Sequence, residues 1–368
     1  MIASVAKLGE RIHIDWYLFA PAILISLAGL VTMNFFTGEN YFFFRQGIWL
    51  LISVLVFFTS AMIDWRFLRE TKILVSIFIA TILMLLILLF VGQATRGAQS
   101  WFQFGAFAFQ PSDPAKLVII LMLSKYFSRR HIEIKNIRHI LVSGVYAFII
   151  FILVFLQPDF GGSMVVLGIW LGMVLVSGIS KKHLSFVILL GILTSVILWT
   201  SVFAPYQKAR ILSFIHPLAD VRGAGYNAYQ STIAIGSGQI LGKGIGQGSQ
   251  SKLQFLPEYE TDFIFAAFAE EWGFIGTLIL LILYFILFIR IVNSAELAAT
   301  NFETFFGLGV AIFFSVHITV HAGMNTGILP VTGITFPFMS YGGSHLVTEW
   351  FALGVLSSMK RHSQGPRL

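Results

Sequence analysis

The sequence predicts an all-α integral membrane protein of about ten transmembrane helices, with a long structured extracytoplasmic loop between the seventh and the eighth. Three observations lead there. Of 368 residues, 57% are hydrophobic and only 11% charged, whereas a soluble domain carries about 25% charged residues. Apolar blocks recur along the chain, most of them near the roughly 17–25 residues that a helix needs to cross a bilayer. One stretch, about 204–262, breaks that rhythm with closely spaced glycines, cations and acids. Interleaved Leu, Ile, Phe and Tyr argue against disorder there, so it reads as an ordered loop that carries the chemistry.

In chain order the blocks lie near 16–36, 46–63, 72–93, 115–128, 137–156, 161–180, 183–203, 263–292, 303–323 and 340–359, with 115–128 the shortest. The first starts near Trp16 and is too long for the apolar core of a cleavable signal peptide, so it reads as an anchor that stays. An even count places both termini on one side. Assigning loops alternately puts 16 Lys and Arg on that side and 8 on the other, five of the eight in the long loop, where the rule counts for little. Both termini are therefore expected in the cytoplasm, with the long loop outside. The net charge of +7 then belongs to inner loops, and no nucleic acid is implied. With no Cys, disulfides, thiolate metal ligands and thiol nucleophiles are excluded. No repeat or low-complexity tract divides the chain, so residues 1–368 are expected to form one polytopic membrane domain.

The outer segments share a character. They are TRGAQSWFQFGAFAFQPSDPAK, QPDFGG, the long loop, and MNTGILPVTGITFPFMSYGGS, all rich in Gly, Pro, Gln, Ser and aromatics. The inner ones, such as SRRHIEIKNIRH, are short and basic. Outer loops packed over a shared site are the expectation.

Among polar residues, Asp262 comes first, because it ends the long loop just before an apolar run too long for a bilayer. A carboxylate at the mouth of a cavity can act as general base on a hydroxyl. Thr261 or Asp262 can equally cap the helix that follows. Position alone leaves both roles open, and they are compatible. Glu270 and Glu271 sit further along that helix, about 80° and 180° around from Asp262, where a structural pairing is expected and Glu270 takes the Asp262 side. Lys116 and Asp159 are a candidate salt bridge tying two outer loops together, since charges at this depth need partners. Arg96, Arg210, Arg222, Lys243 and Lys252 stand near Gly-rich backbone, a combination that suits phosphate but also describes solvated surface charges. GKGIGQGSQ is neither a Walker A loop nor a dinucleotide fingerprint. His317 and His321, four apart on one helical face, have metal-ligand spacing without the HExxH glutamate, so polar packing is expected.

Taken together, RGAQSWFQFGAFAFQPSDPAK, QPDFGGSMVV, YNAYQSTIAIGSGQILGKGIGQGSQSKLQFLPEYETDFIFAAFAEEWGFIG and MNTGILPVTGITFPFMSYGGS resemble one family, the SEDS proteins of shape, elongation, division and sporulation. The likeness covers essentially the whole chain in the family's order. QGSQSKLQFLPEYETDFIFA and GILPVTGI are most similar to its elongation branch, the rod-shape-determining members. Asp113 stands where the family usually has Glu, Glu260 where His is common, and His321 where Asn is more usual.

The resemblance implies a peptidoglycan glycosyltransferase of the bacterial cytoplasmic membrane, polymerising lipid II at the outer face for cell elongation and rod shape. It matches Asp262 to the family's essential acid and Lys116 with Asp159 to its cavity salt bridge, and it puts Arg210 and Lys243 near the site. The candidate substrate-binding set is Arg96, Lys116, Asp159, Arg210, Lys243 and Glu258, with no metal-ligand residue assigned. The chemistry agrees: a sugar hydroxyl attacks an anomeric carbon, a base takes its proton, and pyrophosphate leaves toward Arg, Lys or a divalent cation such as Mg or Mn. No nucleophile for a covalent intermediate stands out, so a single inverting displacement is expected. The implied partner is a class B penicillin-binding protein. Two rival readings are a lipid-linked-sugar flippase, which wants midplane charges and paired broken helices, and a scaffold without chemistry of its own.

Overall fold

In a computed structural model, residues 14–34, 40–95, 98–104, 107–130, 136–216, 223 and 225–363 are described. Helices dominate, and each of the ten expected apolar blocks falls on one. They are α1 (Trp16–Met33), α2 (Tyr41–Met62), α3 (Thr71–Val91), α4 (Ser112–Arg130), α5 (Ile137–Leu156), α6 (Phe160–Val176), α7 (Lys181–Ile197), then, after three short helices, α11 (Ile264–Glu296), α12 (Asn301–Asn325) and α13 (Gly343–Ser363). Among the described residues, seven helices, α7 counted together with the π turn Leu198–Val202 that continues it, are long and apolar enough to cross a membrane; α6 is apolar but shorter.

Two stretches hold elements that the apolar blocks do not announce. The long loop is structured, as expected, and its order comes from α8 (Pro205–Ile215), α9 (Tyr226–Ser237) and α10 (Ser249–Lys252). Pro205 opens α8 where its fixed φ suits a helix and its missing N–H costs nothing. The other stretch precedes α4, where β1 (Gln93–Thr95), β2 (Ala98–Phe104) and β3 (Phe107–Phe109) make a small antiparallel sheet in the order β1-β2-β3, with Phe102 opposite Phe109 and Phe104 opposite Phe107.

The core is a bundle in which α12 packs on α4, α6 and α11, while α13 packs on α2 and α11 on α1. Packing is close enough to exclude side chains: a Cβ on Gly29 of α1 would meet the Met339 carbonyl oxygen at 2.7 Å. α7 stands apart, with no buried residue along its length. An apolar helix of that kind is stable only against lipid or another chain.

α11 organises the molecule. Its 33 residues would span about 50 Å at 1.5 Å per residue, against a hydrocarbon core of about 30 Å. The excess is taken up by a break at Gly273, whose φ of 66° and ψ of −167° interrupt the helix. At its far end Arg290 and Lys360 both pair with the buried Asp15, each at 2.8 Å, joining α11, α13 and the start of α1. Arg69 pairs with Glu303 nearby on the sequence's basic side, and Lys125 donates to the Arg69 carbonyl.

Candidate active site

At the other end of α11 the segments expected to be outer converge. Ser344 exchanges hydrogen bonds with the Gln110 backbone at 3.2 Å, and Gln110 Nε2 donates to Asp159 Oδ2 at 3.3 Å. Gly161 lies so close to the 332–334 segment that a Cβ would meet the Thr332 carbonyl at 2.6 Å. A small cleft opens there, lined by Phe160, Phe203, Gln207, Ile211, Val331 and Thr332. It is apolar and bounded by α8, the head of α6 and the segment after α12.

Asp262 approaches Gly333, the neighbour in sequence of the cleft-lining Thr332. Helix α11 begins two residues after Asp262, with Phe263 in the cap position and no side-chain cap hydrogen bond. The helix cap is therefore Phe263, and the half-buried Asp262 stays in the preceding turn. Its carboxylate faces Gly333, where a Cβ would lie 3.3 Å from Oδ2. The backbone beneath it is held carbonyl by carbonyl. Glu260 O accepts from Tyr341 N at 2.8 Å, Thr261 O from Ser340 Oγ at 2.7 Å, and Asp262 O from Asn325 Nδ2 at 2.9 Å.

Lys116 and Asp159 do not form the expected salt bridge. Lys116 Nζ pairs instead with Asp113 Oδ1 at 3.0 Å, both side chains buried. The reason is local: residues three apart on α4 share a face, while Asp159 is committed to capping α6, its Oδ1 accepting from Gly162 N at 2.7 Å. Ser112 Oγ reaches the same carboxylate at 3.4 Å. Burial pushes the Asp159 carboxyl above its ordinary range, and the nearby Lys116 charge and Gly162 N–H pull the other way.

The glycine-rich loop GKGIGQGSQ does cradle anions, but they are the protein's own. The N–H groups of Ser249 and Gln250 donate to the Glu270 carboxylate at 2.9 and 3.1 Å, and Lys243 Nζ does so at 2.6 Å. Gly248 packs against Glu271, where an added Cβ would lie 3.2 Å from Cγ. Lys243, a candidate for substrate, thus spends much of its charge on the fully buried Glu270. Successive N–H groups in such a turn form an anion nest, here filled from α11. Glu258 occupies the left-handed region, with φ 49°, in the turn leading to Asp262, and Thr261 Oγ1 donates to it at 3.5 Å.

His317 and His321 are buried, and each faces a carbonyl through Nδ1, Thr335 O at 3.1 Å and Ile334 O at 2.8 Å. They hold the segment after α12 in place. Among the described residues, no group of three or more His, Asp or Glu side chains could hold a metal ion. Arg210 lies on α8, two turns of which line the cleft, but its side chain is outside what is described, and Arg96 lies outside the described residues.

Comparison with known proteins settles the family. Residues 11–365 match the family of FtsW, RodA and SpoVE, described as cell cycle proteins. The chain belongs to this SEDS family. It is similar to stage V sporulation protein E of Bacillus subtilis, 35% identical over 93% of both chains. It is similar also to the peptidoglycan glycosyltransferase MrdB of Escherichia coli, 38% identical over 78% of this chain and 77% of that one. Among solved structures it resembles a chain from a study of structural coordination of polymerization and crosslinking by a peptidoglycan synthase complex, with TM-score 0.83, 29% identity and 96% and 99% of the two chains covered. The rod shape determining protein RodA of Thermus thermophilus gives TM-score 0.73 at 26% identity, with 97% and 99% covered. In this frame the unusual residues are accommodated: Asp113 still reaches Lys116, and His321 makes its own bond to Ile334.

Proposed function

We propose that this chain is a peptidoglycan glycosyltransferase that polymerises lipid II at the outer face of the bacterial cytoplasmic membrane, with Asp262 as general base. The observation that carries the assignment of Asp262 is its placement: a half-buried carboxylate outside the helix, against the segment that lines an apolar cleft, on backbone tied down at three consecutive carbonyls. The relatives named peptidoglycan glycosyltransferases supply the reaction class.

In this reading the acceptor's sugar hydroxyl gives its proton to Asp262 as its oxygen bonds to the anomeric carbon of the lipid-linked donor. The bond to pyrophosphate breaks on the opposite face, and the configuration inverts. Arg210 and Arg96 supply charge to the leaving pyrophosphate, with or without a divalent cation. Lys116, held by Asp113 and close to Asp159, forms the polar wall, and Glu258 orders the turn beneath the acceptor. Lys243 acts mainly through Glu270. The apolar cleft takes the substrate's lipid-proximal part. Both termini lie in the cytoplasm. Crosslinking falls to a class B penicillin-binding protein, in keeping with the synthase-complex likeness.

The test is polymerisation of fluorescent lipid II by purified protein with its penicillin-binding partner, read on a gel, with and without Mg or Mn. Wild type is expected to make polymer, while Asp262→Asn and Asp262→Ala, folded and partner-bound, lose it by at least about a hundredfold, as for loss of a general base. Normal polymer from Asp262→Ala would move the base to another carboxylate, and none from wild type would favour a flippase or scaffold.

A further inference from the structure

We infer that Asn325 and Ser340 are positioning residues for the reaction, fixing the backbone from which Asp262 works; this rests on the reading of Asp262 as the base. Asn325 is fully buried at the end of α12. Its amide is used on both sides. Nδ2 donates to Asp262 O and to His321 O, each at 2.9 Å, and Oδ1 accepts from Ala266 N at 3.2 Å. Ala266 lies in the first turn of α11, where backbone N–H groups have no partner within the helix. One side chain therefore grips the chain just before the helix and just after its start. From the other side, α9 closes on it, because Ser231 Oγ donates to Asn325 O at 2.8 Å.

Ser340 does the same one residue upstream. It too is fully buried. Its hydroxyl donates to Thr261 O and accepts from Phe336 N, both at 2.7 Å. Its carbonyl is held by Gln46 Nε2 at 3.0 Å from α2. The turn at 260–262 is thus tied to α2, α9, α12 and the segment before α13, through groups with no reach to the cleft of their own. Nothing in a general structural role requires two buried side chains to spend their donors on consecutive carbonyls of the turn that carries the base. The arrangement makes sense where a carboxylate must hold its geometry, since misplacement by about 1 Å costs on the order of a hundredfold in rate.

The test compares Asn325→Ala, Asn325→Asp, Ser340→Ala and Ser340→Thr with wild type and Asp262→Asn in the fluorescent lipid II assay. Thermal midpoints are recorded for each. Positioning predicts that Asn325→Ala, Asn325→Asp and Ser340→Ala lower kcat at least about tenfold with KM within about twofold. Ser340→Thr, which keeps the hydroxyl, restores most of the rate. Unchanged kcat in folded Asn325→Ala and Ser340→Ala would overturn the inference, as would a loss matched by a fall in folded fraction. If Asn325→Ala does not fold, the Ser340 pair decides alone, because rescue by Thr and not by Ala needs the hydroxyl. The two readings fail separately: an active Asp262→Asn removes the base, whereas an inactive Asp262→Asn beside fully active Asn325 and Ser340 variants removes only the positioning.

Discussion

At the scale of single residues, the site depends on how closely the segment after α12 approaches Asp262. Gly333 has a φ of 72°, a conformation that side-chain-bearing residues avoid, and an added Cβ would press on Asp262 Oδ2 at 3.3 Å. Gly333→Ala is therefore expected to lower lipid II polymerisation by on the order of tenfold, about 1.4 kcal/mol in the barrier, and also to lower the thermal midpoint, since Ala is strained at this φ by about 1 kcal/mol or more. A wild-type rate from this variant would mean that the carboxylate does not need its present approach to Gly333. Asp262 can be singled out in the sequence as a candidate because an acid at the end of a polar stretch, followed by an overlong apolar run, is a costly placement that calls for a reason. Asn325 and Ser340 are not. A polar residue at a helix end or in a Gly- and Ser-rich segment has many possible partners, and only the fold brings Thr261 and Asp262 within reach of these two. The Lys116 pairing differs from its expectation on the same ground: two acids compete for one cation, and the cap role that commits Asp159 elsewhere is a three-dimensional fact.

At the scale of elements, the break in α11 and the glycine-rich loop are one device. Lys243 N and Gly244 N donate to the carbonyls of Glu270 and Glu271, and Phe274 N and Ile275 N donate back to Gln239 O and Ile240 O. The carbonyls freed by the break are thus satisfied by the loop, and the loop's N–H groups by the glutamates of the same helix. Gly273 cannot be replaced without cost. Its φ is 66°, and a Cβ would sit 2.2 Å from Gly242 N, a backbone atom that cannot swing aside. Gly273→Ala is expected to destabilise the protein by about 1–3 kcal/mol, read as a lower midpoint in thermal unfolding in detergent. Equal midpoints would show that the loop does not depend on the break. Apolar blocks announce the long helices, because bilayer thickness fixes their length. α8, α9, α10 and the β1–β3 sheet leave no such signal, since short elements in Gly-rich sequence draw their stability from tertiary packing rather than from local pattern.

At the scale of the whole molecule, α11 joins two clusters of charge, the site around Asp262 and a clamp at the opposite end. There the buried Asp15 takes two hydrogen bonds from Arg290 Nε at 3.0 and 3.1 Å and one from Lys360 Nζ at 2.8 Å, and its own N–H donates to Ser357 Oγ at 3.2 Å. Arg290 also stacks over the Tyr17 ring, 5.1 Å from its centre. Burial pushes the Asp15 carboxyl up, but the hydrogen bonds and charges of Arg290 and Lys360 outweigh it and hold the group below its ordinary value. An acid whose pKa is depressed in the folded state stabilises that state fully above its unfolded value, about 4, and loses the contribution as pH falls through the folded one. Asp15→Asn keeps the shape but leaves two cations without their counter-charge, so at pH 7 it is expected to unfold at a lower temperature than wild type. On acidification below about pH 4 the wild type loses the same interaction by protonation, and the two midpoints should converge. Intrinsic Trp fluorescence during heating, repeated across a pH series in detergent, measures both curves. A gap that stays constant down to the lowest pH would mean that the substitution acts through packing alone and that the charge on Asp15 does not hold the three helix ends together.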